Sequence, residues 1–272
     1  MASGATGNLF DAAERCLACA EPGQKLALTQ AAVAALAAGE LHMAPASSAP
    51  APIGAPGRPL RPRLVAPRAL ASRGLGSTEG RAALVHAVAH IEFNAINLAW
   101  DAVYRFRDMP ADYYADWAQV AADEARHFAL LSARLAELGH AYGDFDAHDG
   151  LWDMAMRTAD SCLARMALVP RVLEARGLDV TPGMIERLRS VDDNATVAIL
   201  ETILREEVAH VAAGSRWFTW CCAREGVDAQ STFQHLLQTH LRGGLRGPFN
   251  VDARLRAGFT RDELARLDEL AA

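Results

Sequence analysis

Asp123-Glu124-Ala125-Arg126-His127-Phe128 and Arg205-Glu206-Glu207-Val208-Ala209-His210 are the two stretches that decide how this chain reads. Each contains Glu-x-x-His, and each follows a lone glutamate in an apolar helical stretch, Glu92 and Glu174. Glu92 precedes Glu124 by 32 residues, and Glu174 precedes Glu207 by 33. In an α-helix, positions i and i+3 share one side, a turn apart. Glu124 and His127 can therefore approach a metal from one helix, and Glu207 and His210 from another. With Glu92 and Glu174 on the preceding helices, four carboxylates and two imidazoles project from four helices. That is the ligand set of a dinuclear iron or manganese site inside a four-helix bundle.

The apolar pattern agrees. Leu84, Val88, Ala95, Ala99 and Ala102 fall on the stripe of Glu92; Val120, Leu131 and Leu138 share that of Glu124 and His127; Ile203 and Val211 flank Glu207. Charged residues on apolar stripes need partners. Four carboxylates balance two divalent cations, and imidazole with carboxylate suits iron or manganese better than a thiolate-selecting metal. The chain has 15 glutamates and nine histidines, which by composition alone gives roughly half a Glu-x-x-His. Two copies at matched spacing exceed that; the bland alternative is two surface Glu–His pairs. Asp123 and Glu206 precede the motif glutamates, where an acid can orient the histidine of the other helix or simply face solvent.

Composition narrows the class. The chain has 272 residues, 51% hydrophobic, enough for a substantial core. A net charge of −6 does not favour nucleic acid or anionic membrane. Lys25 is the only lysine among 27 basic residues. No run reaches the roughly 18–20 apolar residues needed to span a bilayer, the longest being Leu26 to Gly39. Met1 to Glu21 lacks a basic leader region. Five cysteines (Cys16, Cys19, Cys162, Cys221, Cys222) make no disulfide framework, so a reducing cytoplasm is expected.

The expected fold is all-α: a four-helix bundle with N-terminal helices, an extended Pro/Arg-rich arm and a C-terminal helical tail. The divisions fall at 1–44 (helical), 45–78 (the arm), 79–226 (the bundle) and 227–272 (a tail packing on the bundle). Glu21-Pro22-Gly23 separates two N-terminal helices. The first bundle helix is expected over Glu79–Arg107 and the second from Pro110 to Leu138, stopped by Gly139. A loop follows to Gly150. The third is expected over Leu151–Arg176, bent at Pro170 and ended by Gly177, with Thr181-Pro182 opening a short separate helix. Asp192-Asp193-Asn194 caps the fourth, to Arg224. The tail adds one or two helices around Gly243-Gly244 and Gly247-Pro248.

Other residues have blander readings. His86 and His90 lie off the Glu92 stripe and suit polar contacts to the arm or tail. Cys16-x-x-Cys19 has no second pair, so zinc is not expected. Tyr104, Tyr113, Tyr114 and Tyr142 are candidates for radical or gating roles that nothing places beside the metals. Trp217 and Trp220 read as core. Arg58, Arg61, Arg63, Arg68 and Arg73 on the arm could meet nucleic acid phosphates, but packing over the bundle, with arginines capping helix C-termini, is the better account.

On the six ligands the chain resembles the ferritin-like superfamily, which includes the ribonucleotide reductase small subunit, rubrerythrin and a tRNA-modifying di-iron hydroxylase. Gly57-Arg58-Pro59, His86–Glu92, Asp123–Phe128, Pro170–Asp179, Arg205–His210 and Gly247-Pro248-Phe249-Asn250 resemble one uncharacterised ferritin-like family, domain of unknown function 455. The resemblance spans about Gly57 to Leu264. It implies metal ligation by Glu92, Glu124, His127, Glu174, Glu207 and His210, with two ions, Fe/Fe or Fe/Mn. The expected activity is oxygen-dependent oxidation, with dioxygen as co-substrate and a small molecule or modified nucleoside as substrate. A separate electron donor is expected, since no flavin or nicotinamide fingerprint is present. A homodimer is compatible with this reading. The alternatives are ferroxidase, iron-handling or peroxide-removing activity, and a non-redox binding or RNA-processing factor with a structural di-metal site. Fold alone does not choose among them.

Overall fold

The structure is a computed structural model that describes residues 7–43, 50–241 and 247–271. The expected break at Gly243-Gly244 and the first residues of the arm lie outside the described residues. The chain is mostly helical and divides into two compact units, Met1–Asp153 and Met154–Ala272.

In the first unit, α1 (Leu9–Ala18) and α2 (Pro22–Ala37) are separated at the expected place. Glu21 caps α2 by accepting from the Gly23 and Gln24 amides, and Pro22 enters at the first turn, where its missing N–H costs nothing. Unforeseen in the sequence is a two-residue parallel pairing of β1 (Gly7–Asn8) with β2 (Leu41–His42). Then come α3 (Thr78–Arg105), capped by Ser77, and α4 (Ala111–Glu137), entered at Pro110. Gly139 follows α4 with φ 78°, a conformation that favours glycine. α3 and α4 pack on one another as a hairpin, with α1 on α3 and α2 on α4.

Lys25 ties this unit together. Its Nζ donates to the carbonyl of Cys16 at 2.6 Å, near the end of α1, and to Asn97 Oδ1 on α3 at 2.6 Å. Trp100 Nε1 also donates from α3 to Thr29 Oγ1 on α2. Cys16 is buried and Cys19 is half-buried, neither with a cysteine framework around it.

The arm follows the surface of this unit. Gly57 approaches α1 so closely that a Cβ there would lie 2.3 Å from the Ala18 carbonyl oxygen. Three of the arm's arginines do not cap helix C-termini as expected. Arg58 instead forms a bidentate pair with Asp149, Arg63 pairs with Asp146, and Arg73 with Glu79. The fork of an arginine matches a carboxylate better than it matches a row of carbonyls; the loop between α4 and α5 (Gly150–Arg157) presents Asp146 and Asp149, and the first turn of α3 presents Glu79.

In contrast to the expectation that no stretch is long enough, α3 is long and apolar enough to cross a membrane by length and composition, and 78% of its most apolar window is buried inside the protein. Scattered His and Asn residues interrupt the apolar run without lowering its mean hydropathy far.

The second unit corrects the expected third helix. α5 ends at Arg157, and the chain turns at Thr158, whose hydroxyl donates to the Met154 carbonyl. Ser161 caps α6 (Cys162–Leu168), which runs into a π-helical turn, Val169–Glu174, and on into α7 (Ala175–Arg189). Neither Gly177 nor Pro182 breaks α7. Gly177 is not among the positive-φ glycines. Pro182 cannot donate to the Leu178 carbonyl, but Asn250 Nδ2 donates to it at 3.1 Å. Asp193 then caps α8 (Asn194–Glu225), which ends at Gly226 with φ 69°.

The tail forms three helices, α9 (Ala229–His240), α10 (Val251–Arg256) and α11 (Arg261–Ala271). Arg254 of α10 anchors to Asp179 of α7 through two hydrogen bonds of 2.9 and 2.7 Å. Trp217 and Trp220 on α8 meet edge to face, their ring centres 6.0 Å apart, and Trp217 is buried.

Candidate metal centre

In the first unit the α3–α4 hairpin brings Glu92, Glu124 and His127 together, as their register predicts. All three are buried, and their ligand atoms lie within 4.8 Å of one another. His127 Nδ1 is 3.1 Å from Glu92 Oε2 and 3.6 Å from Glu124 Oε2. Burial opposes charge on this imidazole, yet hydrogen bonds and attraction from Glu124 and Glu92 push it up to about 11. Two buried carboxylates that hold a proton this firmly create a field that also favours a divalent cation. Their oxygens and the imidazole nitrogen are the donor types that iron and manganese accept.

In the second unit, Glu207 and His210 lie one turn apart on α8, with His210 Nδ1 3.4 Å from Glu207 Oε1. Both are buried, as is Glu174 at the end of the π turn. The turn and α8 are in tight register: a Cβ on Gly214 would lie 2.4 Å from Cβ and Cγ of Pro170. Pro170 thus fits only over a glycine.

Asp123 accepts hydrogen bonds from Arg126 and Gln119 of its own helix, and Glu206 is half-buried.

Beside α3 and α4 lies a layer that sequence reasoning missed. Tyr142, from the loop after α4, sits against Phe93 and Phe128, its ring centre 5.5 and 5.0 Å from theirs. These are the residues next to Glu92 and His127. His90 Nδ1 is 2.9 Å from the Tyr142 hydroxyl, and its Nε2 is 3.1 Å from the His148 carbonyl oxygen. His86 Nε2 accepts from the Gly143 amide at 2.9 Å. The two histidines therefore hold the loop after α4, not the arm or tail. Burial pushes both down to about 4, so they act as neutral hydrogen-bonding groups. A cavity of about 240 Å³ opens beside His90 between the arm and α3, lined mainly by Leu70, Ala87, Ile91, Phe145 and His148.

A mostly helical protein with a buried glutamate–histidine cluster that could hold a metal ion is the class that these observations define. The chain matches the family model described as protein of unknown function (DUF455) over residues 18–265, and it belongs to that family. It is also similar to an uncharacterized protein of Haemophilus influenzae, 47% identical over 213 residues, covering 76% of this chain and 74% of the relative. No solved structure matches it.

Proposed function

We propose that the chain is a ferritin-like di-metal carboxylate protein in which Glu92, Glu124 and His127 with Glu174, Glu207 and His210 hold two ions. Iron is the first choice, as Fe/Fe or Fe/Mn. The observation that carries this reading is the buried trio Glu92, Glu124 and His127, within 4.8 Å of one another. Three buried ionisable groups, two of them carboxylates, packed this closely are costly unless positive charge compensates them.

When bound, the metal pair supplies the capacity to oxidise a substrate with dioxygen. The residues of the chain supply the rest. Glu92 and Glu124 set the charge. Phe93, Phe128 and Tyr142 pack on one another beside the two helices that carry these ligands. Glu174, Glu207 and His210 complete the ligand set. We assign the protein as an oxidoreductase acting on a small molecule or modified nucleoside, with electrons from a separate donor in the cytoplasm. Asp123 and Glu206 would orient the histidines.

The near-complete burial of all six ligands favours a second reading, a non-redox factor stabilised by structural metals. One experiment separates the two. Protein purified from cells supplemented with iron and manganese is analysed for metal, reduced anaerobically and given a pulse of oxygen. About two iron atoms per chain and a transient absorbance support the oxidoreductase. Bound metal that ignores oxygen supports the structural reading, and a metal-free protein sinks both.

A further inference from the structure

Arg171 lies three residues before Glu174 in the π turn and is 2% exposed. Its guanidinium is 4.2 Å from the ring centre of Phe233, 4.5 Å from that of Phe259 and 4.8 Å from that of Phe218. Its Nη2 donates to Glu263 Oε1 at 2.7 Å, and its Nε donates to Ser215 Oγ at 3.2 Å. Glu263 is fixed in turn, because its Oε2 accepts from the Thr260 amide while its own amide donates to Thr260 Oγ1. This is a capping box at the start of α11. Residues of α8, α9 and α11 thus converge on one side chain of the turn.

A buried guanidinium is an expensive way to fill space, since an apolar side chain would fill it without the desolvation cost. What an arginine adds is direction. Its bonds from Nε to Ser215 and from Nη2 to Glu263 form together only when the backbone presents the side chain at one angle.

The turn needs such a constraint. A π turn is rare in isolation and competes with the ordinary α arrangement of the same residues. Pro170 removes one donor from it. Passing from π to α geometry rotates the residues on one side of the turn by about 100° relative to the other. Glu174 would then leave the side of the helix it now occupies. The two arrangements are discrete, so whatever selects one of them also places the carboxylate.

We infer that Arg171 and Glu263 are positioning residues: the ion pair between the π turn and α11 holds the turn in its π form and so sets the direction of Glu174. The C-terminal tail, which carries Glu263 92 residues beyond Arg171, thereby controls how the second unit's ligands hold metal. This inference rests on the metal-binding reading above.

Its test uses the full chain, Co(II) as the metal probe, and the variants Glu263→Ala, Glu263→Gln and Leu237→Ala. Leu237 is a buried residue of α9 and serves as a destabilised control. Amide hydrogen exchange of residues 169–174 is read in metal-free protein, and the visible spectrum and release rate of Co(II) are read in loaded protein. Glu263→Ala should speed both exchange and release at least about tenfold and alter the Co(II) spectrum. Glu263→Gln keeps one of the two accepting oxygens and loses the charge, so its effect should lie between wild type and the alanine variant. It also carries the test, with a smaller change in the same direction, should the alanine variant not fold. Leu237→Ala should lower Tm while leaving the spectrum alone. Wild-type exchange and release in Glu263→Ala would overturn the inference, as would the same change in Leu237→Ala. A wild-type chain that takes up no Co(II) would instead overturn the metal reading, and the role of Glu174 with it.

Discussion

Lys25 Nζ and Asn97 Oδ1 lie 2.6 Å apart in the interior of the first unit, and no other lysine exists in the chain. Burial pulls this ammonium down to about 8, with small opposing pulls from Cys19 and Cys16. Its hydrogen bonds to the end of α1 offset part of the cost.

Two results follow from that placement. The unfolded chain binds a proton at Lys25 up to about pH 10.4, whereas the folded chain releases it near 8. This contribution to stability is therefore complete above the unfolded pKa and is lost as pH falls through the folded one. Chemical unfolding between pH 8 and 10.5 should show wild type gaining stability relative to Lys25→Met. Amine-reactive reagents applied to the native protein should modify the N-terminus alone; rapid modification of Lys25 would contradict its burial.

His86 gives a slope at the acid end. Its folded pKa is about 4, lowered by burial and partly raised again by Asp144. As pH falls below about 6.5 the unfolded chain takes up a proton that the folded chain refuses. Stability is lost down to about pH 4, by at most about 3 kcal/mol from this group. His86→Gln, which retains an acceptor for the Gly143 amide, should flatten denaturant-derived stability over that window. An unchanged slope would count against a neutral, buried His86.

Removing a ligand should separate metal from fold. Glu124→Ala or His127→Ala should lower bound iron by about tenfold or more, while circular dichroism shows the same helix content. Unchanged metal in either variant would displace the site from α3 and α4.

Gly214→Ala should destabilise the protein by about 1–3 kcal/mol or more, because its Cβ would enter space that Pro170 already fills. Adding Pro170→Gly, which removes both clashing atoms, should recover part of the loss in thermal unfolding. Additive losses would argue that the two positions do not touch.

Much of the helical layout was legible because its signals are local. Ser77, Pro110, Gly139 and Asp193 mark the ends of α3, α4 and α8 through their own side chains or backbone angles. The spacing of Glu92, Glu124 and His127 carries their convergence, since helical phase and one short hairpin suffice to align them. Gly177 and Pro182 misled for the opposite reason. Asn250, 72 residues beyond Leu178, serves the carbonyl that Pro182 leaves open, and no local pattern announces such a partner. The arm's arginines, the loop-holding roles of His86 and His90, and the position of Tyr142 were likewise illegible. Each depends on where an irregular segment comes to rest.

The π turn at Val169–Glu174 also changes how the sequence around it must be counted. Residues 162–189 form one continuous helical path through α6, the turn and α7. A π turn holds one residue more than the α turn it replaces. Heptad or 3.6-residue bookkeeping carried across it therefore slips by one position. An apolar stripe drawn through Leu163 and Met166 emerges beyond Glu174 on a different face from the one α-helical counting assigns. A relative lacking one residue between 169 and 174 could close the same path with an ordinary α turn and still bring the counterparts of Asp179 and Ile185 to the same face. Alignment gaps at this turn therefore carry more structural meaning than gaps in the loops.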